Sequence, residues 1–157
     1  MDILIVEDNP ADVELVREAL AESAVDVRLH WMPTGEQALA YLCTLVPHQG
    51  RRPGAHQAAH QAAHPALQLP DLVLLDLNLP GVSGGEVLKA IKSDPALLMI
   101  PVVVLTSSAA RRDVQHAYQN HVNAYVVKPD NFNQFLELVA TLRDYWLTHV
   151  LLPTQVQ

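Results

Sequence analysis

Short apolar runs rich in β-branched residues return along this chain at intervals, and stretches of helical period fill the gaps between them. That alternation restricts the fold more than any other feature. The strand candidates are Ile3–Val6, Val25–Trp31, Leu72–Asp76, Val102–Thr106 and Ala124–Val127. The helix candidates are Ala11–Glu22, Thr34–Leu45, Gly84–Lys92, Arg111–His121 and Phe132–Leu147. Asn9-Pro10 suits the start of the first helix, as a capping residue followed by proline at the first helical position. Val87, Leu88 and Ile91 fall on one face of the third. Strands and helices that alternate in this way predict an α/β fold around a parallel sheet. The third strand is apolar at nearly every position and is expected to be buried on both faces.

Length and charge narrow the class. A chain of 157 residues suits one domain with a sizeable core, and half of its residues are hydrophobic. Its net charge of -7 offers no basic patch for nucleic-acid phosphates. No apolar run approaches the roughly eighteen residues that span a bilayer. "MDILIVEDN" lacks the pattern of a signal peptide. Cys43 is the single cysteine, so no internal disulfide is possible and a reducing cytoplasm is expected.

The segment 47–70, "PHQGRRPGAHQAAHQAAHPALQLP", is too long for an ordinary connection and reads as an insertion between the second helix and the third strand. His56, His60 and His64 recur with period four, a spacing that can share a metal. No neighbouring carboxylate or thiol completes a ligand set, so a solvated low-complexity loop is the expectation.

The chemistry collects at the strand ends. Glu7 and Asp8 follow the first strand, Asp76 closes the third, Thr106 the fourth and Lys128 the fifth. Ligands of open parallel sheets bind beyond the carboxyl ends of the strands, where the strand order reverses. If the first and third strands are neighbours, the carboxylates converge and repel. A hard divalent cation such as Mg²⁺ relieves that conflict. Acids, a hydroxyl and a lysine around such an ion are the parts needed to hold a phosphoryl group on a carboxylate oxygen.

"LIVEDNP", "LLDLNLPG", "VVVLTSS" and "YVVKP" together resemble the motifs of the response-regulator receiver domain, in order and at suitable separations. The resemblance runs from Asp2 to about His149, interrupted by the insertion. It implies a flavodoxin-like, doubly wound five-stranded sheet of order 2-1-3-4-5 with five helices and an extended C-terminal helix. By the same likeness Asp76 is the phosphoacceptor, and Glu7, Asp8, Asp76 and the backbone carbonyl of Asn78 hold Mg²⁺ or Mn²⁺. Thr106 is then the switch hydroxyl, Lys128 the phosphate-binding ammonium and Tyr125 the switch aromatic. A cis bond between Lys128 and Pro129 is implied as well, and Ser108 stands where side chains tune hydrolysis.

The long loop and the ending "RDYWLTHVLLP" resemble single-domain regulators partnered with bacterial phytochrome histidine kinases. That likeness implies a homodimer through strands four and five, the last helix and the tail. The expected organisation is a receiver domain over 1–150 followed by a tail, 151–157. The expected function is a two-component phosphoacceptor switch with no separate enzymatic activity. The competing reading is a protein-binding module that uses the same surface without phosphorylation. An aspartyl phosphatase would carry Asp-x-Asp after the first strand, and an FMN carrier a hydroxyl- and glycine-rich loop there. Glu7-Asp8-Asn9-Pro10 fits neither.

Overall fold

Parallel strands β1 (Asp2–Val6), β2 (Arg28–Met32), β3 (Leu72–Leu75), β4 (Val102–Thr106) and β5 (Ala124–Val127) form one sheet in the order β2-β1-β3-β4-β5. The computed structural model describes residues 1–46 and 68–155, so the histidine repeat and most of the expected insertion lie outside the described residues. Helices α1 (Pro10–Ala21), α2 (Gly35–Leu45), α3 (Gly84–Ser93), α4 (Arg111–Gln119) and α5 (Phe132–Asp144) connect and follow the strands.

Alternation along the strands divides the core in two, because successive strand side chains point to opposite faces. Leu4, Val6, Val73, Leu75, Val102 and Val104 pack with Ala38 and Leu42 of α2 and with Val87, Leu88 and Ile91 of α3. Ile3, Ile5, Leu72, Leu74, Val103 and Leu105 pack on the other face with Val13 and Val16 of α1 and with Phe135 and Val139 of α5. β1, β3 and β4 are buried throughout, as expected of central strands covered on both sides. Burial of apolar surface on both faces of these strands favours folding at about 25 cal/mol per Å².

The helix starts reflect local chemistry. Asn9 accepts from the Ala11 N–H at 3.1 Å, with Pro10 at the first helical position of α1. Ser83 and Glu86 form a reciprocal capping box at the start of α3, which fixes where the chain leaves the loop after β3.

The two largest boundary differences from the sequence expectation lie at β2 and at the last helix. β2 begins at Arg28 rather than Val25, because β1 begins at Asp2 and its register pairs Asp2 with Arg28, leaving earlier residues no partner in β1. The last helix gives way after Asp144 to a π-helical turn, Tyr145–His149, closed by the Val150 N–H bonding to the Tyr145 carbonyl at 3.2 Å. That wider turn directs Trp146 inward and lets the tail double back. Trp146 is buried, Val150 packs on the same core and Leu152 is fully buried beneath the sheet, while Leu151 is exposed. The Thr154 hydroxyl donates to Asp71. Packing thus continues past residue 150 to Leu152.

Candidate phosphoacceptor and metal site

The strand order reverses between β1 and β3, which are hydrogen-bonded neighbours with Val6 opposite Leu75. Glu7 and Asp76 each come directly after one of those residues, so the register alone sets them side by side. The Asp76 N–H donates to the Val6 carbonyl at 2.9 Å and ties the two strand ends together. Glu7, Asp8 and Asp76 each offer a carboxylate oxygen, and the three oxygens lie within 4.8 Å of one another. An octahedral Mg²⁺ with bonds of about 2.1 Å sets its ligand oxygens roughly 3 to 4.2 Å apart, so this trio needs only a small contraction to hold such an ion. Glu7 and Asp76 are buried and Asp8 is exposed. A divalent cation would thus meet two desolvated acids and one that opens to solvent.

Lys128 comes from the end of β5 and crosses the mouth of the site. Its Nζ donates to Glu7 Oε2 at 2.5 Å, Asp12 Oδ2 at 2.9 Å and Asp76 Oδ2 at 2.9 Å. Burial alone would depress the lysine, but its hydrogen bonds to Glu7, Asp12 and Asp76 raise its pKa above the usual value. Glu7 is pushed upward, chiefly by burial, against the opposing pull of Lys128. The ammonium is therefore charged at neutral pH, and it holds the acids together where no cation does.

The expected cis bond is corrected: no cis peptide occurs among the described residues, so Lys128–Pro129 is trans. Trans is the intrinsically favoured isomer even before proline. Here the Lys128 N–H continues the sheet to the Thr106 carbonyl at 2.8 Å, and from that backbone Nζ already reaches all three acids.

The remaining residues line the same rim. Asn78 bridges it: its N–H donates to Asp76 Oδ1 at 3.0 Å, and its side-chain amide donates to Thr106 Oγ1 at 3.3 Å and Ser107 Oγ at 3.2 Å. Thr106 is fully buried at the end of β4. Tyr125 is half-buried, and its hydroxyl donates to the Ser108 carbonyl at 2.9 Å. Ser108 in turn donates to Asp113 Oδ2 of α4 at 2.6 Å, so hydrogen bonds run from β5 through the β4–α4 loop into α4. Gly84 backs Asp76. A Cβ there would lie 1.9 Å from the Asp76 carbonyl oxygen and 2.7 Å from Leu77 Cα, so any larger residue would displace the loop.

Sequence reasoning missed two residues. Asp12 is the third acid on Lys128, and its signal was an acidic residue in the first turn of α1, which usually denotes only a favourable dipole contact. Trp31 is the other: its indole N–H donates to the Glu7 carbonyl at 2.8 Å. Trp31 therefore stands against the backbone of the site. Only the pairing of β2 with β1 brings that side chain over the Glu7 backbone.

A family model for the response regulator receiver domain matches residues 53–140, more than half of the chain. The chain belongs to the response-regulator receiver family. It is 40% identical over 151 residues to the response regulator Rcp1 of Synechocystis, covering 96% of this chain and 92% of that protein. It is also 40% identical over 145 residues to a probable methanogenesis regulatory protein, FilR2, of Methanothrix harundinacea, covering 92% of this chain and 83% of the relative. Among solved structures, the phosphorylated cyanobacterial phytochrome response regulator RcpA superposes with a TM-score of 0.80 at 41% identity, covering 97% of both chains. The Mn²⁺-bound form of Rcp1 gives 0.81 at 39%, covering 97% of this chain and 98% of that one. These receivers share the five-stranded order and the regulator class with the present chain. No helix of the described residues is long and apolar enough to cross a membrane.

Proposed function

We propose that this receiver takes a phosphoryl group on Asp76 from the phosphohistidine of a histidine kinase, with Mg²⁺ at Glu7, Asp8 and Asp76, and changes its protein contacts in response. One observation carries the reading. The end of β3 presents a buried carboxylate whose two oxygens are engaged by Lys128 and the Asn78 N–H, with two more acids and a buried threonine hydroxyl around it.

In the transfer an Asp76 oxygen attacks phosphorus in line. A P–O bond forms, the P–N bond to the histidine breaks, and the imidazole leaves with the electron pair. A cation bound at Glu7, Asp8 and Asp76 would neutralise charge on the equatorial phosphoryl oxygens. Lys128 would donate to the same oxygens. Thr106 offers its hydroxyl to the phosphoryl group, and Asn78 holds that hydroxyl in position beforehand through its amide. Once Thr106 turns, the Tyr125–Ser108–Asp113 chain passes the change to α4. The added charge biases a packing with two arrangements.

The protein is then a phosphoacceptor that assists its own phosphorylation and dephosphorylation, not an enzyme with a separate substrate. A bacteriophytochrome-type kinase is the partner this reading favours, supported by similarity to RcpA and to Rcp1, and cytoplasm is the matching compartment. Tyr118, Val127 and Phe132 leave apolar area exposed on α4, β5 and α5, which supports a homodimer across that face.

The test is labelling by a phosphodonor. Wild type should acquire an acid-labile, hydroxylamine-sensitive label that requires Mg²⁺, and Asp76→Asn should acquire none. Persistent labelling of that variant would remove Asp76 from the role.

A further inference from the structure

A lysine ammonium has three N–H bonds, and each one of Lys128 is committed: to Glu7, Asp12 and Asp76. Two of those acceptors belong to the trio that can close on a cation, and Asp12 does not. The three partners consequently have different fates once the site is loaded. Glu7 and Asp76 would turn oxygens to a bound cation, and Asp76 would also form the bond to phosphorus, whereas Asp12, outside that trio, would keep its bond to the ammonium.

We infer that Asp12 is a positioning residue for the phosphoacceptor reaction, holding the Lys128 ammonium in place while its other two partners are redirected. This rests on the phosphoacceptor reading above. Asp12 is suited to it because its backbone is fixed. Asn9 caps the helix, Pro10 sets the first helical position, and the adjoining Val13 is fully buried. That fixed first turn holds the carboxylate beside Lys128 and outside the trio that can close on a cation.

Two opposing effects of removing Asp12 must be compared. Losing a negative charge should favour the approach of an anionic phosphodonor. Losing an anchor should let the lysine wander. The Asp12 side chain is 22% exposed, whereas that of Lys128 is 10% exposed. Water therefore screens the charge of Asp12 toward an incoming anion more than it replaces a missing partner of the ammonium. Loss of the anchor dominates.

The experiment compares initial rates of labelling by acetyl phosphate at saturating Mg²⁺ in wild type, Asp12→Asn, Lys128→Met and the double variant. Asp12→Asn should lower the rate about tenfold, the scale of one charge-assisted hydrogen bond. In the Lys128→Met background the same change should not lower it. An unchanged rate where Lys128 is present, or equal falls in both backgrounds, overturns the inference. Asp12→Glu, which retains the charge, should keep more of the rate than Asp12→Asn, and the reverse order overturns it too.

A second readout needs no phosphoryl group. The ¹⁵N signal of the Lys128 ammonium should be visible in Mg²⁺-loaded wild type and broadened away in Asp12→Asn. Its survival in Asp12→Asn refutes the anchoring role, whatever happens to labelling. Labelling of Asp76→Asn would instead refute the phosphoacceptor reading, and the ammonium signal would still decide independently whether Asp12 anchors the lysine.

Discussion

Lys128→Met removes the cation that faces Glu7, Asp12 and Asp76 and leaves their shape almost unchanged. Four carboxylates, counting Asp8, would then share the pocket without the ammonium that joins them. The side chains of Glu7 and Asp76 are 4% and 7% exposed, so water can do little for either. Breaking a buried ionic network by removing one partner costs about 3–5 kcal/mol. The lower end applies here, about 3 kcal/mol, because Asp12 is partly solvated and Asp8 opens to water. For a chain of this size that corresponds to a fall in Tm of about 6–12 °C.

The shifts set the sign of the pH dependence. Lys128 is raised in the fold, so its contribution is complete at all pH values below the ordinary lysine pKa and declines only as pH rises through the folded value. The full gap between wild type and variant should therefore be present at neutral pH. Glu7 is raised by burial, so the folded state keeps that proton to higher pH than the unfolded chain does, and stability falls as pH rises across that interval. Without Lys128 to oppose it the interval widens, and the stability maximum of the variant should move toward acid.

Thermal or urea unfolding in EDTA measures the gap, and repeating it with Mg²⁺ should narrow it, because the ion neutralises the same acids. Equal midpoints at neutral pH in EDTA, or a gap indifferent to Mg²⁺, would refute the account of the site as an electrostatic knot.

Asp8→Ala should weaken Mg²⁺ affinity by more than about tenfold in a calorimetric titration with little loss of fold stability, since Asp8 is exposed; an unchanged affinity would contradict its place among the ligands. Mg²⁺ should alter tryptophan emission through Trp31, whose indole is bonded to the Glu7 carbonyl, and Trp31→Phe should abolish the change while buried Trp146 stays silent. Leu152→Ala should lower stability to urea by about 2–5 kcal/mol, the cost of truncating a fully buried leucine; a neutral result would mean that the tail does not pack as described.

The Glu7-Asp8 pair, Asp76, Thr106 and Lys128 were legible because each ends a strand, and strands announce themselves by uninterrupted apolar runs. Parallel strands all present their carboxyl ends to one edge, so the residues that close the apolar runs already make up most of the site. The trans geometry before Pro129 was not legible, because the residues permit either isomer and the surrounding hydrogen bonds choose. Nor was the π-helical turn at Tyr145–His149, since its pattern of apolar residues also suits a continued α-helix.

Sequence by itself determined the elements, their buried faces and the residues at the strand ends, because periodicity and capping are properties of a few neighbouring residues. Tertiary structure alone decided that Asp12 would claim an N–H of Lys128, 116 positions away, that Trp31 would lie on Glu7, and that Leu152 would fold back beneath the sheet. Those contacts depend on register and helix docking, where many side chains act together, and no local stretch of sequence carries that information.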